Sequence, residues 1–103
     1  MTGIELIAEE RQRQIDVEGY SKQHDSQHNP SDFIYAAIAY AEAARVGVNA
    51  HQLGLNETIV TAYKSDMKRI YPWGNSFNPS TDIRDLVKAG ALIAAAIDRL
   101  SND

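Results

Sequence analysis

Arg11 stands at the spacing of an apolar stripe, between Ala8 and Ile15, where a guanidinium needs a carboxylate or a bound anion before it can leave water. Asp85 or Asp98, farther along the chain, could neutralise it, and so could a phosphate. Arg84 and Lys88 lie one helical turn apart near the start of a helix, where the dipole favours anions. They can hold a phosphate together with Arg11, or form an intrahelical ion-pair face around Asp85. His24-Asp25-Ser26-Gln27-His28 sets two imidazoles and a carboxylate within one short loop, which a turn could aim at one metal or one phosphate; loop histidines also serve as solvated caps. Glu5 and Glu9 are one turn apart and Glu10 is adjacent, so Glu9 and Glu10 can offer oxygen ligands to Mg2+ if a second helix adds carboxylates, or form a solvated acidic face. Trp73, between Pro72 and Gly74 with Tyr71 next to it, is suited to stack on a base or to cap a core. The expected site is a convergence of Arg11, Arg84 and Lys88 with His24 or His28, close to Trp73. Glycine-rich phosphate loops, Walker patterns and triad spacings do not occur.

Composition narrows what such a site can serve. The 103 residues are 44% hydrophobic and 23% charged, enough for one core and one domain over 1–103. Fourteen acidic against ten basic residues give a net charge of −4, which argues against non-specific nucleic-acid binding and leaves room for a local cationic site. The lack of cysteine removes thiolate chemistry and suits a reducing cytoplasm. No apolar run approaches the roughly 18 residues of a membrane span, so a cytoplasmic protein without membrane contact is expected.

The elements that must position these residues follow from hydrophobic periodicity, which predicts an all-α fold of four helices over 3–17, 31–45, 57–70 and 82–100. In the first, Ile4, Ile7, Ala8, Arg11 and Ile15 share a face behind a Thr2/Glu5 capping box, and Gly19 closes the helix ahead of a polar loop to Pro30. Asn29-Pro30-Ser31-Asp32 starts the second, whose face is Phe33, Ile34, Ala37, Ile38, Ala41 and Ala44, with Gly47 as its stop. Asn56 caps the third, which Pro72 ends. The fourth carries Ile83, Leu86, Val87, Gly90, Ala91, Ala94, Ile97 and Leu100, and Gly90 suggests that another backbone packs there. Four helices in so short a chain leave a small core, and the alanine and glycine surface of the fourth exceeds the needs of one neighbour; a homo-oligomer is expected, with Ala91 at its contact.

Ile4 to Gln14, the Glu18-Gly19-Tyr20 turn, His24-Asp25 to His28, Tyr71-Pro72-Trp73 and Arg84 to Ala94 together resemble a family of small bacteriophage and prophage proteins, over about half of the chain. A more distant resemblance is to the all-α nucleoside triphosphate pyrophosphatases of the MazG type, helical dimers that hold magnesium with acidic motifs on two helices. That resemblance implies Glu9 and Glu10 as the first motif and Mg2+ as a cofactor. The fourth helix departs from it, with Asp85 and then Lys88 where the family carries another acid. Two functions follow as expectations. One is binding, with or without hydrolysis, of an anionic nucleotide-like ligand. The other is inhibition or modulation of a host protein, such as a defence factor, through the acidic surface.

Overall fold

The computed structural model describes residues 1–20 and 29–101. It is all-helical, with α1 Gly3–Asp16, α2 Pro30–Gln52, α3 Glu57–Ser65 and α4 Asp82–Ser101, and no strand among the described residues. No helix among them is long and apolar enough to cross a membrane. Local chemistry places the helix starts where the sequence predicts them. Thr2 and Glu5 form a reciprocal capping box on α1, Asn29 accepts from Ser31 N–H ahead of Pro30, and Asn56 accepts from Ile59 N–H. On α4, Thr81 Oγ1 accepts the Arg84 N–H, while the Asp85 carboxylate reaches back to Ser80 N–H at 2.8 Å.

The stops differ more. Gly19, at φ 73°, follows α1 as expected. Gly47 does not stop α2, which runs five residues further to Gln52. Gly54, at φ 77°, ends it through a paired set of bonds, Leu55 N–H to the Ala50 carbonyl and Gly54 N–H to that of His51. Past Ser65 the third helix tightens into a 3-10 turn, Asp66–Arg69, closed by Ile70 and Tyr71 amides on the Met67 and Lys68 carbonyls.

α2 and α4 form the central antiparallel pair. Gly47 abuts Asp82 at one end, and Phe33 and Ala36 join Ala95 and Ala96 in the core at the other. Small residues face each other: Ala36, Ala37, Ala43 and Ala44 are buried on α2, and Ala89, Ala91, Ala95 and Ala96 on α4. The core is completed by Tyr20 from the end of α1 and by Tyr71, Trp73 and Phe77 from the 70–81 loop, packed around Phe33 and Tyr40. Trp73 sits edge-on to Phe33 at 5.3 Å, so it does cap the core.

Several expected faces are rotated. On α1 the buried residues are Glu10 and Gln14, whereas Ile4 and Ala8 are exposed. On α2, Ile34 and Ile38 lie outside, and on α4 Ile83, Leu86, Ile97 and Leu100 do as well. Close approach of two alanine-lined helices leaves no width for large aliphatics between them, so alanines go in and isoleucines face out. Ala91 is fully buried and cannot mediate an oligomer contact.

The two mid-helix glycines have different reasons. At Gly90 an added Cβ would come within 2.6 Å of Ile7 Cδ1, so a side chain packs there rather than a backbone. At Gly47 it would come within 2.2 Å of Asp82 Oδ1 and 2.4 Å of Lys64 Cε, groups pinned by ion pairs. Gly47→Ala is expected to destabilise the protein by about 1–3 kcal/mol through overpacking. Gly90→Ala should be near neutral, because Ile7 can rotate away and alanine recovers about 1 kcal/mol of helix propensity. Urea unfolding midpoints of the two variants check this contrast.

Candidate functional site

A cleft of about 370 Å³ opens between α1, α4 and the 70–81 loop. The 3.6-residue repeat turns Glu10, Arg13 and Gln14 of α1 toward it, and Arg84, Lys88 and Leu92 of α4 form the opposite side. Tyr20, Tyr40, Tyr71 and Trp73 supply an aromatic wall, and Glu18, Ser76 and Asn78 stand at the rim. Burial pushes the Tyr40 phenol up to about 12 and raises Tyr20 and Tyr71 as well, so these hydroxyls stay protonated near neutrality.

Glu10 organises the charges. Its carboxylate is buried, which alone would raise its pKa, yet the guanidiniums of Arg13 and Arg84 outweigh that and hold it below the usual carboxylate range. Arg13 donates from Nε and Nη2 at 2.9 and 2.8 Å, and Arg84 donates to the same carboxylate from the other helix. Arg13 also reaches Glu18 at 3.1 Å. Both guanidiniums keep about two fifths of their side-chain surface exposed, which leaves donor edges free for another anion.

Lys88 is the exception to this pairing. Its Nζ lies 5.1 Å from the centre of the Tyr40 ring and donates to the Asn78 carbonyl at 3.1 Å, but no carboxylate among the described residues is within ion-pair distance. Desolvation lowers its pKa, and the neighbouring Arg84 charge lowers it further. Gln14, buried and lining the same cleft, has a side-chain oxygen with no hydrogen-bond donor among the described residues.

The cleft therefore brings together four of the predicted site residues, Glu10, Trp73, Arg84 and Lys88. Arg11 does not join them: its Nε and Nη2 bind Asp98 Oδ2 at 3.1 and 3.0 Å and its Nη1 the Tyr20 carbonyl at 2.9 Å, so its charge is met by the alternative ion pair. Arg13 takes its place at the site. His24 and His28 lie outside the described residues. Glu9 is exposed and Glu10 is committed to two guanidiniums, so the two carboxylates do not form a magnesium site in this arrangement. No group of three or more His, Asp or Glu side chains among the described residues is placed to hold a metal ion. Arg13, Gln14, Tyr20 and Tyr40 were not expected at the site; the signal available for the first two was their shared face with Glu10, at three- and four-residue spacing.

A second cluster ties α2, α3 and α4 together. Lys64 Nζ is buried between Asp85 Oδ2 at 2.9 Å and Asp82 Oδ1 at 2.7 Å, and it also donates to the Ser80 carbonyl. Asp85 thus pairs with α3 rather than with Arg84 and Lys88. His51 bridges Asp82 Oδ2 at 2.9 Å and Glu57 Oε1 at 2.7 Å. Every charged group here has a partner, which marks the cluster as a clasp of helix ends.

No protein-family model, no curated protein and no solved structure matches this chain, so a functional reading rests on the cleft itself.

Hydrogen bonds to Asp82 first and Glu57 second raise the His51 pKa above its ordinary value. A raised folded-state pKa adds stability that is fully present below the unfolded value of about 6.5 and is lost as pH rises through the folded value. Thermal melts across that window should show Tm falling with pH more steeply in the wild type than in His51→Gln. Parallel curves would mean that the bridge contributes nothing.

Proposed function

We propose that this protein binds a small anionic ligand carrying a flat ring, of nucleotide-like chemistry, in the cleft between α1, α4 and the 70–81 loop. Lys88 carries the reading: a half-buried cation with no carboxylate partner among the described residues, beside Arg84 and against an aromatic wall. An isolated charge withdrawn from water is costly, and an anion entering the cleft offsets that cost while restoring the lysine's ordinary pKa. The exposed edges of Arg13 and Arg84 add donors with the planar geometry that suits phosphate oxygens. Trp73 and Tyr71 offer ring faces and edges for a base, and Gln14 offers an acceptor oxygen to an N–H donor on it.

The reading is one of binding rather than hydrolysis. Glu10 is held as an ionised counter-charge between two guanidiniums, whose three hydrogen bonds occupy most of its lone-pair sites and leave little of the carboxylate for a metal ion or an attacking water. It positions Arg13 and Arg84, and the two arginines and Lys88 do the binding.

A thermal-shift screen of nucleoside mono-, di- and triphosphates and cyclic dinucleotides tests the proposal. One class should raise Tm by several degrees at saturating concentration, since ligand at 100 times its Kd stabilises the native state by about 2.7 kcal/mol. Lys88→Met, which keeps the stem over Tyr40 and removes the charge, should fold normally and lose most of the shift. An equal shift in wild type and Lys88→Met would place the ligand elsewhere, and no shift from any member of the panel would contradict the proposal.

A further inference from the structure

The side of α2 and α4 away from the cleft carries a second feature. Ile34, Ile38 and Val48 on α2, and Leu86, Ile93 and Ile97 on α4, are each 40–57% exposed. They fall at alternating three- and four-residue steps, through 34, 38, 41, 45 and 48 on one helix and 86, 90, 93 and 97 on the other, where Ile7 of α1 packs on Gly90 at the edge of the second stripe. That is the spacing of a helix seam that meets another helix ridge-into-groove at a shallow angle. Leu86 lines one shallow groove with Ala41, Ala44 and Val48, so the two stripes border a single two-helix face. Its floor is made of the small residues that join α2 to α4. Arg45 is the one charged residue at these positions, and Glu42 on its own helix already neutralises it.

We infer that this face is covered by a second copy of the same chain, forming a two-fold dimer whose contact is a four-helix bundle of two α2/α4 pairs. Three observations select a copy as the occupant. An antiparallel helix pair rotated by two-fold symmetry presents the same face back to itself, and both helices carry the same step pattern, so ridges of one copy meet grooves of the other. The six aliphatics leave on the order of 500 Å² of apolar surface, near the upper end for a patch on a monomer. A standard interface buries ~800 Å² per partner, of which these aliphatics would supply more than half. A buried charge is the usual obstacle to such a contact, and here the only one arrives already paired. Successive residues of a helix are 100° apart, which puts Lys88 nearly opposite Leu86. Both ligand clefts therefore stay open, on the outer sides of the dimer.

Sedimentation equilibrium of the full chain between about 1 and 100 µM tests this, with Ile38→Glu, Ile93→Glu and, as a control on α3, Tyr63→Glu. Each substituted residue is about half exposed in the protomer, so folding should survive, and helical dichroism checks that it does. The wild type and Tyr63→Glu are expected at twice the chain mass, and both isoleucine variants at the chain mass. A wild type that stays monomeric at 100 µM overturns the inference and leaves the face to a different protein. A dimer that persists in both isoleucine variants overturns it too, because the contact then lies elsewhere.

Discussion

The pairing of Glu10 with Arg13 and Arg84 is the interaction on which the arrangement of α1 depends. A carboxylate withdrawn from water loses several kcal/mol of hydration, and only partners in good geometry make its burial tolerable. α1 supplies one partner three residues along the same helix, and α4 supplies the other across the cleft. The pair thereby orients a helix on which no apolar residue is fully buried. It also sets the charge of the cleft, where Arg13, Arg84 and Lys88 stand against two lining carboxylates, Glu10 and Glu18. A protein of net charge −4 thus carries a cationic recess walled by aromatic rings.

A second constraint, the small residues between α2 and α4, has consequences on both sides of the pair. Alanine-to-alanine packing brings the helices close but fills little volume, and the aromatic residues of the 70–81 loop and Tyr20 make up the difference on one side. There they form at once the core cap and the wall of the cleft. On the other side the described residues leave the aliphatics that the close approach has turned outward about half exposed. Cleft and apolar face are two outcomes of one packing choice, and they point away from each other.

Local signals were legible in the sequence, and facing was not. The Thr2/Glu5 box, the Asn29-Pro30 start and the Asn56 cap depend on neighbours within a few residues, and the helices begin where they predict, whereas α3 gives way to a 3-10 turn after Ser65, short of Pro72. Gly47 is ambiguous in the sequence because glycine marks both helix ends and close contacts; only Lys64 and Asp82, distant in sequence, decide which applies. Arg11 and Arg13 were exchanged for a similar reason. The apolar stripe of α1 looked like its inward face, whereas the buried positions are Glu10 and Gln14, and a polar pair becomes an inward face only when a cation such as Arg84 arrives from another helix. Arg84, Lys88 and Trp73 do line one cleft, and their local settings, a helix start and a constrained loop, are what placed them together.

Trp73 is the only tryptophan in the chain and lines the cleft, so its fluorescence reports directly on occupancy. Titration with the nucleotide class that stabilises the protein is the most direct measurement. A base stacking near the indole should change the emission saturably, the affinity should fall as salt is raised because the anion is held by Arg13, Arg84 and Lys88, and Lys88→Met should weaken it at least tenfold, the equivalent of about 1.4 kcal/mol. Emission that stays unchanged while the ligand still binds, or an affinity indifferent both to salt and to Lys88, would contradict a cationic, aromatic-walled binding cleft.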